Sequence, residues 1–86
     1  MFTDYKLVQA GAECKSSDTR LEDVYSPAQC ANLCHALNEV QAGTCKFFMV
    51  GNDDLEDRCY VEHTSDSSCP EGWDWDDYDF YEMKGN

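Results

Sequence analysis

Ser26-Pro27-Ala28-Gln29-Cys30-Ala31-Asn32-Leu33-Cys34-His35-Ala36-Leu37 is the stretch that decides the fold. A serine hydroxyl can accept an orphan amide hydrogen at a helix start, and proline in the first turn gives up an N–H that has no partner there. Gln29 follows Ser26 at the spacing of a capping box. Cys30, Leu33, Cys34 and Leu37 recur at i, i+3, i+4 and i+7, so a helix over 27–38 carries all four on one inward stripe. Cysteines on a buried stripe need bonding partners on whatever the helix covers.

Working outward, residues 45–50 alternate as a strand with Cys45, Phe47 and Met49 on one face and Lys46, Phe48 and Val50 on the other. Residues 58–63 read as its hairpin partner, with Cys59 and Val61 sharing a face, and the polar run 51–57 as the connecting loop. Residues 4–9 form a first strand, 11–14 a turn into a loop, 20–25 a short extended segment, and 77–83 a last strand. Bridged Cα atoms lie within about 7 Å of each other. Bridges between helix and hairpin follow. The preferred pairing is Cys34–Cys45 and Cys30–Cys59, which leaves Cys14 with Cys69; the other connectivities of six cysteines stay open at this point.

At 86 residues the chain is one domain, 1–86, with a core small enough to need staples. An even set of cysteines in so short a chain indicates a disulfide framework and a secreted, extracellular setting. Zinc would call for a second tight cysteine or histidine pair beside Cys30 and Cys34, and there is none. The net charge of −12 argues against nucleic acid, whose phosphates require clustered Lys and Arg. It suits a basic partner or a divalent cation. No apolar run approaches the ~20 residues of a membrane span, so no membrane insertion is expected. The start at Met1 lacks the basic head and apolar stretch of a signal peptide, so export implies a signal removed ahead of this numbering.

Gly11-Ala12-Glu13-Cys14, the helix motif Ser26-Pro27-Ala28-Gln29-Cys30-Ala31-Asn32-Leu33-Cys34, Cys45-Lys46-Phe47-Phe48 and Cys59-Tyr60-Val61 together resemble the PAN/apple domain family. The matching positions are Ser26, Cys30, Cys34, Cys45, Phe48 and Cys59, and the likeness spans roughly residues 5 to 83. It implies an α+β fold: a small disulfide-rich domain in which a curved antiparallel sheet has one helix packed across it. It further implies a secreted or cell-surface module that makes protein–protein or protein–carbohydrate contacts and has no catalytic activity. Val61 stands where the family more often has leucine, and the tail from Glu71 to Tyr78 matches no family signature. Ligand pockets vary within the family, so no binding residue is carried over.

Candidate chemistry is thin for an enzyme. His35 and His63 are accompanied by no free thiol and no motif-placed serine, so no catalytic residue and no cofactor are expected. Acids crowd two runs, Asp53, Asp54, Glu56 and Asp57, then Asp74, Asp76, Asp77 and Asp79. Neither has the spacing of an EF-hand loop, and no metal ligand is assigned. The distinctive feature is the aromatic–acidic tail. Trp73, Trp75, Tyr78 and Tyr81 are the ligand-binding candidates, with Phe80 among them, because indole and phenol rings supply contact area, hydrogen bonds and stacking surfaces. No N-glycosylation sequon is present, and Thr64, Ser65, Ser67 and Ser68 form a hydroxyl cluster where O-linked sugars could sit. The leading function is adhesion or recognition of an extracellular protein or glycan. The alternative is a structural subunit that self-associates into an extracellular filament or coat through an edge strand, against the repulsion of its own charge.

Overall fold

The helix forms where the capping signals place it. In the computed structural model, which describes residues 4–52 and 58–84, α1 spans Pro27–Val40. Ser26 keeps an extended backbone, and its Oγ accepts the Gln29 amide hydrogen at 3.2 Å. The Gln29 side chain closes on the Tyr25 amide, one residue ahead of the cap. The helix continues past 38 because Asn38 does not stop it. That side chain instead brackets Cys45, donating to its carbonyl at 2.8 Å and accepting its amide hydrogen at 2.7 Å. Gly43, at φ 83°, supplies the left-handed turn that brings Cys45 back beside the helix.

The strands are β1 (Tyr5–Gln9), β2 (Ala12–Cys14), β3 (Asp18–Arg20), β4 (Phe47–Gly51), β5 (Cys59–Glu62), β6 (Trp73–Trp75) and β7 (Tyr78–Met83). Five of them form an antiparallel sheet in the order β1-β7-β4-β5-β3, while β2 and β6 pair as a separate antiparallel ribbon. This is a small α+β, disulfide-rich fold with one helix on an antiparallel sheet. No helix among the described residues is long and apolar enough to cross a membrane.

Each face of the sheet has its own core. On one, Phe48, Val50, Val61 and Tyr81 pack beneath Cys30, Ala31 and Cys34 of the helix. Phe48 lies directly across from Tyr81 in the β4–β7 register, and their rings stack with centroids 5.0 Å apart. On the other face, Phe47 and Phe80 stack at 5.6 Å and are covered by Cys14, Cys69 and Trp73. Alternation counted from Cys45 predicts Phe47 on the face of the helix-bound cysteines. In fact β4 begins at Phe47, Cys45 lies before it, and a change of parity at that point sends Phe48 rather than Phe47 toward the helix.

Two other expectations shift. The segment 11–14 is not a loop, since Ala12–Cys14 is β2. The extended piece expected at 20–25 is β3 at Asp18–Arg20, paired with β5. The last strand, expected over 77–83, is β7 at Tyr78–Met83, and a turn at Asp76 and Asp77 separates it from β6. Of the loop expected at 51–57, residues 53–57 lie outside the described residues.

The disulfides are Cys14–Cys69, Cys30–Cys59 and Cys34–Cys45, with Cα separations of 5.8, 5.6 and 5.2 Å. They nest. The loop closed by Cys14–Cys69 contains that of Cys30–Cys59, which contains that of Cys34–Cys45. Cys30–Cys59 fastens the helix to β5, Cys34–Cys45 fastens it to the segment just before β4, and the outer bridge fastens the ribbon.

Candidate functional site

The ribbon is where aromatic and acidic side chains concentrate. Its register sets Ala12 opposite Trp75, Glu13 opposite Asp74 and Cys14 opposite Trp73. Side chains directly opposite each other in an antiparallel pair share a face. The Cys14–Trp73 pair turns inward, with Cys14 bridged to Cys69 and Trp73 edge-on to Phe80 at 5.0 Å. Gly11, at φ 70°, makes the turn from β1 into β2. Its amide donates to Asp79 Oδ1 at 2.8 Å, and the Asn52 side chain donates to the same oxygen at 3.0 Å. Asp79 therefore fixes the base of the ribbon.

The four aromatic candidates do not form one surface. Tyr78 and Tyr81 are buried, Tyr78 edge-on to Tyr60 and Tyr81 stacked on Phe48, so they fill the core and offer no contact area. Burial raises both phenols above the usual tyrosine range. Phe80 is fully buried and Trp73 half-buried against it. Trp75 is the exception, 67% exposed at the end of the ribbon between Asp74 and Asp76.

The acids also regroup. The run 74–79 divides, with Asp79 committed to Gly11 and Asn52 while Asp74 and Asp76 meet Glu13. One carboxylate oxygen from each of Glu13, Asp74 and Asp76 lies within 4.8 Å of the other two. Burial, then contact with Asp76, pushes the Glu13 carboxyl up to about 7, and Asp18 and Asp74 act in the same direction. Asp18 lies across from Glu62 in the β3–β5 register, so the two share the ribbon face of the sheet. Glu62 is only 2% exposed, and both of its carboxylate oxygens are buried without a hydrogen-bond partner. Burial pushes this carboxyl up to about 9, with the neighbouring Asp18 and Glu13 carboxylates acting in the same direction. The acidic loop at Asp53, Asp54, Glu56 and Asp57 lies outside the described residues.

Other singled-out residues take structural places. His35 faces Glu39 at 3.8 Å on the half-exposed side of the helix, and His63 shares a hydrogen bond with Thr19 at 2.9 Å. Cys14 and Cys69 approach Glu71, but sulfurs bonded to each other supply no thiolate for a metal. Thr64 is buried and donates to Glu71 at 2.7 Å, which removes it from the hydroxyl cluster. Sequence reasoning missed Glu13, Asp18 and Glu62, because strand pairing alone sets Glu13 opposite Asp74 and Asp18 opposite Glu62. A charged residue opposite an acid on a neighbouring strand is the signal that would have found Glu62, had the register been known.

A comparison of the chain with known protein families, curated proteins and solved structures finds no match.

Proposed function

We propose that this chain is a non-catalytic, secreted recognition module of the PAN/apple type that binds an extracellular protein or a carbohydrate. The observation that carries the reading is Trp75, an indole 67% exposed on a ribbon that a disulfide holds in place. Exposed tryptophan on a rigid support is the kind of group that anchors interfaces and stacks on sugar rings, because little side-chain entropy is lost when it is covered. The acids on either side would select a basic or hydroxyl-rich partner. Three disulfides are compatible with an oxidising, extracellular setting.

The test is a glycan array and a titration of Trp fluorescence with neutral and cationic oligosaccharides, run beside cross-linking to basic extracellular proteins. Trp75→Ala should lose the binding that Trp73 and the core retain no means to restore. Equal binding by wild type and Trp75→Ala would remove Trp75 from the interface and the reading with it.

The filament alternative finds less support. The outer strands of the sheet are β1, whose pairing is broken by a bulge between Leu7 and Gln9, and β3, of three residues. Short and irregular edges are poor templates for adding a strand. A charge of −12 repels copies of the chain, with Lys6, Lys15 and Lys46 the bases nearest to offsetting it. Light scattering at near-physiological salt separates the two, since a polymer would reverse the ranking.

A further inference from the structure

A cleft of about 240 Å³ opens where the start of α1 meets the helix side of the sheet. Tyr25 and Pro27 line it from the helix end, Val50 and Asn52 from the end of β4 and the residue past it, and Asp79 and Tyr81 from β7. Val50 lies across from Asp79 in the β4–β7 register, two positions from the Phe48–Tyr81 pair, so all four stand on the helix side. Asp79 is the one charged group lining this cleft among the described residues, and no base pairs with it there. The two hydrogen bonds it accepts, from the Gly11 amide and the Asn52 side chain, both end on Oδ1, and Oδ2 accepts none among the described residues. Burial first, then the Asp79 charge, raises the Tyr81 phenol, so that hydroxyl keeps its proton. Tyr25 is an independent observation. It is 94% exposed, yet its amide donates to the Gln29 side chain, so the ring is fixed at its base and uncovered at the mouth of the cleft. A ring so placed serves no core.

We propose that this cleft receives a basic side chain, lysine or arginine, of an extracellular protein partner, with its charge at Asp79 Oδ2 and its stem against Val50 and the Tyr25 ring. A cation is drawn both to a carboxylate and to an aromatic face, and a long apolar stem suits aliphatic and aromatic walls. The volume falls below the roughly 300–1,000 Å³ of clefts that take drug-sized ligands, and suits one side chain. The net charge of −12 draws basic partners and repels acidic ones. The start of α1 opposes a cation with about half a positive charge. That is less than the full carboxylate beside it, and Ser26 Oγ already caps the helix start. This goes beyond the recognition reading, whose anchor Trp75 does not line the cleft.

The test adds Nα-acetyl-lysine methylamide, Nα-acetyl-arginine methylamide and the neutral Nα-acetyl-citrulline methylamide to the isotope-labelled, disulfide-intact chain at constant ionic strength, following backbone amide shifts by NMR. Both basic probes should bind saturably with Kd about 1 mM, the affinity that ligands of this size reach, and should move the amides of Tyr25, Gly51, Asn52 and Asp79. The citrulline probe should bind about tenfold more weakly or not at all. Asp79→Asn keeps an oxygen for Gly11 and Asn52 and should cost about tenfold. Tyr25→Ala should cost about two- to fivefold, and its exposure lets it carry the test should Asp79→Asn fail to fold. Trp75→Ala should leave Kd unchanged, so failure here and failure of the Trp75 interface are separate results. Tighter binding of one basic probe than the other names the side chain and supports the cleft. No saturable shift up to about 10 mM, an order of magnitude above the expected Kd, would overturn the proposal. So would equal binding of the citrulline probe or an unchanged Kd in Tyr25→Ala. Shifts centred on Glu13, Asp74 and Asp76, or binding lost in Trp75→Ala, would put the cation on the ribbon and equally remove the assignment.

Discussion

One face of the sheet is closed by a helix and the other by a ribbon, and the two coverings use opposite chemistry. On the helix side, two disulfides join Cys30 and Cys34 to Cys59 and Cys45, and what lies between is aromatic or aliphatic. The ribbon side has a single disulfide, one stacked phenylalanine pair, and a sealed carboxyl at Glu62. The first face is built for stability. The second keeps an unsatisfied acid inside and an exposed indole outside, both of which a domain concerned only with folding would replace. Features that cost stability without serving the core are what the proposed recognition role would require on this side.

The largest effect expected from breaking this comparison comes from the disulfides. Removing Cys14–Cys69, which spans 55 residues, should cost about 4 kcal/mol on loop-closure grounds, and removing Cys34–Cys45, which spans 11, about 3 kcal/mol. Urea denaturation of Cys14→Ala/Cys69→Ala and Cys34→Ala/Cys45→Ala checks both. A reversed order would mean that the helix side depends on its bridges for more than chain entropy.

Next comes pH. In metal-free buffer Glu62, pushed up to about 9, keeps its proton in the folded chain after the unfolded chain has released it. Its stabilising contribution is full below the ordinary carboxyl range and is lost as pH rises toward about 9, with Glu13 acting in the same sense up to about 7. A full proton difference corresponds to about 1.4 kcal/mol per pH unit. Glu62→Gln should flatten the fall in melting temperature between pH 5 and pH 9, roughly the window set by the shifted carboxyl. An unchanged slope would mean that Glu62 is solvated in solution.

Smaller still is the helix cap. Ser26→Ala should cost about 1 kcal/mol and leave the ribbon face unaffected, visible as a lower midpoint with unchanged Trp73 fluorescence. Smallest is Trp75→Ala, which should alter stability by less than about 0.5 kcal/mol, since the side chain is 67% exposed. A larger loss would show that Trp75 holds the ribbon down and is not free for a partner.

The two faces also differ in how far they could be read from the amino acids. The helix side was legible because its signals are local. Ser26, Pro27 and the stripe from Cys30 to Leu37 lie within one stretch, and the stripe limits where Cys45 and Cys59 can bond. The ribbon side was not, because β2 and β6 have three residues each, too few to show a period. Tyr78 and Tyr81 read like Trp73 and Trp75 in the sequence because no Gly or Pro marks the turn at Asp76 and Asp77; past that turn they belong to β7, which lies between β1 and β4. The acidic pairs could not be read at all, since Glu13 meets Asp74, and Asp18 meets Glu62, only once the β2–β6 and β3–β5 registers are set.

The nesting of the disulfides has a mechanical consequence. The amide of Lys84 donates to the carbonyl of Asp4, and β1 lies along β7 with Tyr5 opposite Met83, so tension on the chain from both sides enters at one corner. It would peel β1 from β7 one hydrogen bond at a time, starting at that corner, instead of shearing the strands together. The peeling stops where the Cys14–Cys69 bridge clasps everything between them. Under load the domain would yield two short lengths of slack and then hold, a shock absorber with a fixed stop.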